Sequence, residues 1–265
     1  MSNVLRVPLG YRPRSATDPH RGVSYKLSAE QASAEDRRGR VTLFDATTPT
    51  RGFQYSAGSC TGQAFAHAIE YVMRAAAKDG LLDVEPFKPS ALAIYAWERA
   101  LAGSFYDDIG ARLIDGVQVL SERGIPREED WPYDENRLFV HPDQRVDARA
   151  AENRLVSSRP LLHRLREFRH ALLTDCPIVI GIPCYAGRGG ILTARAAETA
   201  VIADPEPSDR VEGWHAVALE DHDPETRTFG ILNSWPNFGD AGRARISEDY
   251  VLTLSNESYA IGAVR

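Results

Sequence analysis

The stretch FQYSAGSCTGQAFAHAIEYVMRAA, residues 53–76, holds one of only three cysteines in a chain of 265 residues. Apolar residues recur at helical spacing from Cys60 to Lys78 (Phe65, Ile69, Val72, Met73, Ala76), and Gly80 closes the run. Cys60 therefore opens the predicted helix. Unpaired N–H groups and the helix dipole at that end favour an anion, so the thiol pKa is expected to fall. By residue type alone a cysteine can be a small hydrophobe, a metal ligand, half of a disulfide or a nucleophile. Partners elsewhere in the chain must decide.

Composition narrows the field first. A hydrophobic fraction of 43% and a mean hydropathy of -0.34 are ordinary for a soluble globular protein with ample core. A formal charge of -6 argues against a nucleic-acid platform. No apolar run approaches the ~20 residues that span a bilayer, so no membrane partner is expected. The first twenty residues lack an apolar core of signal-peptide length. Cys60, Cys176 and Cys184 form a sparse, odd set, which suits a cytoplasmic protein better than a disulfide scaffold. Delivery by a leaderless route would leave no trace. No closely spaced Cys/His/carboxylate cluster suggests a metal, and no cofactor is implied.

Along the chain, residues 1–44 read as a polar arm wrapped on the body. Helical patterns follow in 60–78, in SALAIYAWERALAG after Pro89, and in IGARLIDGVQVLSERG, each ended by glycine. Residues 137–160 are Arg-rich and read as a solvated insertion, and LLHRLREFRHALLTD reads as a further helix. PIVIGIPCY, HAVALEDHD, RTFGILNSW, ARIS and SYAIGAV then read as short strands. A helical first half and a stranded second half predict an α+β fold of two lobes: arm 1–44, helical lobe 45–160, β-rich lobe 161–265.

A thiolate nucleophile needs an imidazole within reach, and the imidazole needs an orienting group. His67 lies on the same helix face, but seven residues at 1.5 Å rise put it roughly 10 Å away, so it is assigned to packing or surface. His20, His141, His163, His170 and His222 lie in polar surroundings. His215 opens the apolar run HAVAL after Gly213, and Asn233 ends another strand within GILNSWPNFGDAG. Taken together, QYSAGSC, GWHAV and NSWPNFGDAG resemble the papain family of cysteine peptidases. The likeness runs from about residue 44 to the C-terminus, and YAWERALAGSFYDDIGARLIDGVQVLSERGIPREEDWPYDE is similar to the middle of its bacterial members.

The resemblance implies a papain-like two-lobe fold with the active site between the lobes. It implies Cys60 as nucleophile, His215 as its base and later acid, Asn233 holding the ring, and Trp235 shielding that contact. Gln54 would donate to the oxyanion hole beside the Cys60 N–H, where loss of one donor costs roughly 100- to 1,000-fold in rate. Gly110, Trp214 and Trp235 would line the substrate groove, although Gly110 also reads as a plain helix-start glycine. The reaction implied is hydrolysis of peptide or isopeptide bonds through a thioester, with a peptide or protein as substrate. The acidic loop ADPEPSDRVE before Gly213 either rims the groove for basic substrates or is simply solvated.

Several positions depart from the family pattern. Thr61 follows the nucleophile where many relatives have an aromatic, Trp214 replaces a common Gly, and Pro236 and Phe238 replace Gly and Trp. Ala57 stands where secreted relatives carry a disulfide cysteine. The arm is shorter than many inhibitory propeptides, which points to restraint by substrate access, a protein inhibitor or a regulatory partner. Three rivals stand beside peptide hydrolysis. GSCTG fits a nucleophile elbow, but RGFQYSA is not the buried strand an elbow needs. Acyl transfer of transglutaminase type would use the same triad. A catalytically silent binding module would result if Trp214 closed the groove.

Overall fold

The computed structural model describes residues 5–15, 39–43, 51–81 and 85–264. Helix α1, Cys60–Lys78, begins at the expected residue and is buried continuously from Cys60 to Met73. An element covered on all sides must be apolar or small all round, and the alanines between Phe65, Ile69 and Met73 meet that demand. Its end is a left-handed glycine: Gly80 has φ +68°, and Leu81 N–H returns to the Ala76 carbonyl at 2.8 Å. Helix α2, Ala91–Leu101, is capped by Ser90 Oγ, which accepts from Ala93 N–H at 3.1 Å. It crosses α1 where Gly62 has no side chain; a Cβ there would lie 2.2 Å from the Ala91 carbonyl oxygen. Helix α3, Leu113–Glu122, starts later than its apolar pattern suggested, because Gly110 holds φ +81° and keeps residues 109–112 out of the helix.

The Arg-rich segment read as a solvated insertion is structured. It forms helix α4, Gln144–Ala150, and strand β2, Leu155–Pro160. Asp143 caps α4 through its carboxylate to Arg145 and Val146 N–H groups. The sheet thus begins before the lobe boundary expected at residue 160. After helix α5, Leu165–Leu173, come β3 (Ile178–Ala186), helix α6 (Ala194–Thr199), β4 (Val201–Ile202), β5 (Arg210–Asp223), β6 (Thr228–Leu232), β7 (Arg243–Ser247) and β8 (Ser258–Val264). The path is β2-β8-β3-β5-β6-β7-β4, with β1 (Val41–Thr42) against β5. All pairs are antiparallel except β4 with β7.

This topology decides where chemistry can occur. Strand β5 is central, pairing with β3 on one side and β6 on the other, so His215 and the residues just after β6 are neighbours. Helix α1 packs against α2 and against β5, β8 and β3, and one apolar cluster joins Phe65 and Ile69 of α1 to Ile180 and Leu219 of the sheet. The N-terminal end of α1 therefore meets the middle of β5. Among the described residues no helix is long and apolar enough to cross a membrane.

Candidate functional site

Cys60, His215, Asn233 and Gln54 converge at the junction of α1 and β5, all of them buried. Ala216 N–H donates to Cys60 Sγ at 3.4 Å, so the sulfur lies against the residue next to His215. His215 pairs with Ile182 across the sheet, which fixes its backbone. Its Nε2–H donates to Asn233 Oδ1 at 2.8 Å, and Trp235 stacks on the ring at 4.2 Å between centroids. That bond consumes Nε2 and leaves Nδ1 as the basic nitrogen. Gln54 is oriented by Ser234, whose Oγ donates to Gln54 Oε1 at 2.6 Å. The amide nitrogen is thereby turned inward, donating to the Ala57 carbonyl at 2.9 Å.

The loop before the nucleophile is held without a disulfide, and Cys60, Cys176 and Cys184 are all free thiols. Asp108 accepts Gly58 N–H with both oxygens at 3.0 Å and Tyr95 OH at 2.6 Å, while the Tyr95 oxygen accepts Gly110 N–H at 3.0 Å. One chain of hydrogen bonds thus ties the nucleophile loop to the Gly110 loop. Thr61 is explained as well: its hydroxyl donates to buried Glu98 of α2.

The arm changes the picture most. Residues 5–14 lie on the body along its groove. The Pro8 carbonyl accepts from Gln54 Nε2 at 3.2 Å, and Gly10 N–H is directed at Cys60 Sγ. Tyr11 N–H donates to the Trp214 carbonyl at 3.3 Å, and Ala111 exchanges bonds with Gly10 and Arg12 at 2.8 and 2.7 Å. Tyr11 fills a pocket against Gly181; its ring meets Trp214 edge-on, and its hydroxyl donates to Asn256 at 2.8 Å and Glu257 at 3.2 Å. Arg14 Nε sits 2.7 Å from Glu257 Oε2. Gly10 is obligatory in this path, since a Cβ would lie 1.7 Å from the Gly58 carbonyl oxygen.

With the groove filled, the expected fall in the thiol pKa does not occur. Burial pushes the Cys60 thiol up to about 12, against N–H donors that favour the thiolate. Burial likewise lowers His215 to about 4 despite its bond to Asn233. Both groups are neutral at pH 7, and His215 Nδ1 has no hydrogen-bond partner among the described residues. A direct sulfur–imidazole hydrogen bond is therefore absent from the arm-filled groove.

No family model matches the chain. An uncharacterized peptidase C1-like protein of Acanthamoeba polyphaga mimivirus is 27% identical over 208 residues, and the chain spans 64% of the length of that curated relative. The crystal structure of xylellain, a cysteine protease from Xylella fastidiosa, superposes with a TM-score of 0.82 at 26% identity, covering 100% of this chain and 99% of that one. In sequence and in fold the chain is similar to the papain-like cysteine peptidases. Bromelain from Ananas comosus, solved with the E64 inhibitor, shares the fold at a TM-score of 0.59 and 14% identity, over 83% of this chain and 97% of that one.

Within this papain-like frame, Trp214 and Gly110 line the groove: the former offers its carbonyl and ring edge to Tyr11, and the latter faces the Gly10 carbonyl. Trp235 lies behind His215 with Phe238 packed edge-on against it, away from the arm's backbone contacts. In the acidic loop, Asp209 accepts from Glu206, Arg188 and Gly189 N–H groups, so that carboxylate organises the loop itself. Sequence reading missed Ser234, Asp108, Glu257 and the arm residues Gly10, Tyr11 and Arg14. Only NSW, by placing Ser234 beside Asn233, carried a usable signal. The arm's YRPR has no periodicity to announce a groove contact.

Proposed function

We propose that the chain is a cysteine peptidase that hydrolyses peptide bonds through a thioester acyl-enzyme. The observation that carries this reading is the arm: the groove holds an extended peptide by its backbone, with one carbonyl on Gln54 Nε2 and N–H groups on Trp214 and Ala111. A substrate entering the same groove with its scissile carbonyl on Gln54 would have Cys60 Sγ beside the carbonyl carbon. Sulfur attacks carbon as His215 Nδ1 takes the thiol proton, and the oxyanion is held by Gln54 Nε2–H and Cys60 N–H. His215 then protonates the leaving amine, and water, activated by the same nitrogen, releases the acid. Asn233 keeps the ring in the tautomer that leaves Nδ1 free.

The arm occupies the same backbone positions, with the Pro8 carbonyl on Gln54 Nε2. The chain with its arm in place is thus a closed form that substrate must open. Trp214 lines the groove rather than plugging it, which favours an enzyme over a silent binding module. The test is a fluorogenic peptide library together with E64 on the full chain and on a Gly10→Val variant. Hydrolysis and epoxide labelling at Cys60, both abolished by Cys60→Ala, are expected; cleavage that survives Cys60→Ala overturns the assignment.

A further inference from the structure

Two buried titratable side chains next to the site have no part in the chemistry above. His67 lies on α1 two turns beyond Cys60, and Glu220 lies on β5 five residues beyond His215; they are 7% and 2% exposed. His67 Nε2 contacts Glu220 Oε1, joining the helix that carries the sulfur to the strand that carries the imidazole. Three buried atoms nearby have no hydrogen-bond partner among the described residues: His67 Nδ1, Glu220 Oε2 and Asn233 Nδ2. His67 and Asn233 share the wall of one small, partly open cavity of about 10 Å³ with Arg51, Gln63, Ala216 and Ser234. That is the size of a single water, which requires two to four polar partners. His67 and Gln63 also line a larger cavity of about 200 Å³ on the outer side, with Arg51 and Glu70.

We propose that His67 and Glu220 are positioning residues that act through one water in this cavity to hold the Asn233 amide, and through it the His215 ring. Asn233 uses Oδ1 for His215, so only its Nδ2–H₂ end can be fixed from behind. In the neutral pair Glu220 O–H donates to His67 Nε2, and His67 Nδ1–H and Asn233 Nδ2–H both donate to the water oxygen. The buried His67 Nδ1–H and the Asn233 Nδ2 end then each gain an acceptor. An amide flip would set Nδ2–H₂ against the Nε2–H of His215, donor against donor, and would cost the water one of the two N–H groups that hold it. Arg243 of β7 faces both members of the pair, and Asp221 of β5 faces Glu220. Burial raises Glu220 to about 8 and lowers His67 to about 3. The relay is therefore neutral below about pH 8. Above it Glu220 loses its proton, His67 moves its own to Nε2, and the water turns to donate to Nδ1.

This relay concerns the part proposed for Asn233 and rests on that reading, but its test needs no turnover. In the full chain, side-chain amide NMR of Asn233 is expected to show an inflection near pH 8. Glu220→Gln keeps a donor to His67 without a titrating proton and should abolish the inflection while the backbone spectrum stays native. His67→Leu should abolish it too and speed exchange of the Asn233 amide protons. On the arm-released enzyme, His67→Leu is expected to lower kcat about tenfold with KM unchanged. An Asn233 signal that does not move in the wild type, or that moves alike in wild type and Glu220→Gln, overturns the relay whether or not peptides are cleaved. If His67→Leu does not fold, the Glu220→Gln comparison alone decides.

Discussion

Substituting Gly10 should open the groove and raise the peptidase activity proposed for it. A Cβ at residue 10 would lie 1.7 Å from the Gly58 oxygen and 2.2 Å from its carbonyl carbon, inside any tolerable contact. Gly58 cannot give way, because Asp108 holds its N–H with both oxygens at 3.0 Å. The arm must move instead, loosening the bonds of Pro8, Gly10 and Tyr11 to the groove. Forcing a methyl group into a packed contact costs ~1–3 kcal/mol, which raises the open fraction by roughly 5- to 150-fold at about 1.4 kcal/mol per decade. Since apparent affinity scales with the competent fraction, kcat/KM for a long peptide should rise by the same factor until the open form dominates. Gly10→Ala should fall at the low end and Gly10→Val at the high end. The assay is hydrolysis of a quenched peptide well below KM, beside the rate of Cys60 alkylation by iodoacetamide. Folded Gly10 variants whose alkylation and hydrolysis match the parent would refute the reasoning.

Two further outcomes follow from the same geometry. His215 is held near pKa 4 in the fold against an ordinary 6.5, so the unfolded chain takes up the proton first. Stability should decline as pH falls from about 6.5 towards 4. Urea titrations across that window should show a shallower decline in His215→Gln; an unchanged slope would remove His215 as the cause. In the Gly10→Val background, Gln54→Ala should lower kcat by roughly 100- to 1,000-fold with a small effect on KM. A loss confined to KM would show that Gln54 only binds the peptide.

Much of the architecture was legible because it is written in local patterns. The glycine-closed, alanine-rich run from Cys60 predicts α1 by itself, and the β-branched runs after residue 176 predict β3, β5, β6, β7 and β8. The Arg-rich segment misled because charge says where side chains point, not whether the backbone pairs. Strand β2 gains its hydrogen bonds from β8, about a hundred residues away. Helix rise along α1 separates His67 from Cys60, and spacing alone shows it. The contact of His67 with Glu220 depends on how α1 lies on β5, which no spacing along α1 encodes.

The sequence by itself determined the candidate site residues and their order along the chain, because a cysteine at a helix start and a histidine and asparagine at strand ends are local facts. Only the tertiary structure decided what fills the groove. Gly10 reaches Gly58 and Tyr11 reaches Glu257 across intervals with no periodic signal, and burial in the folded chain pushes the Cys60 thiol up and the His215 imidazole down. Desolvation is a property of what lies on top of a residue, and that is fixed when the chain folds back on itself.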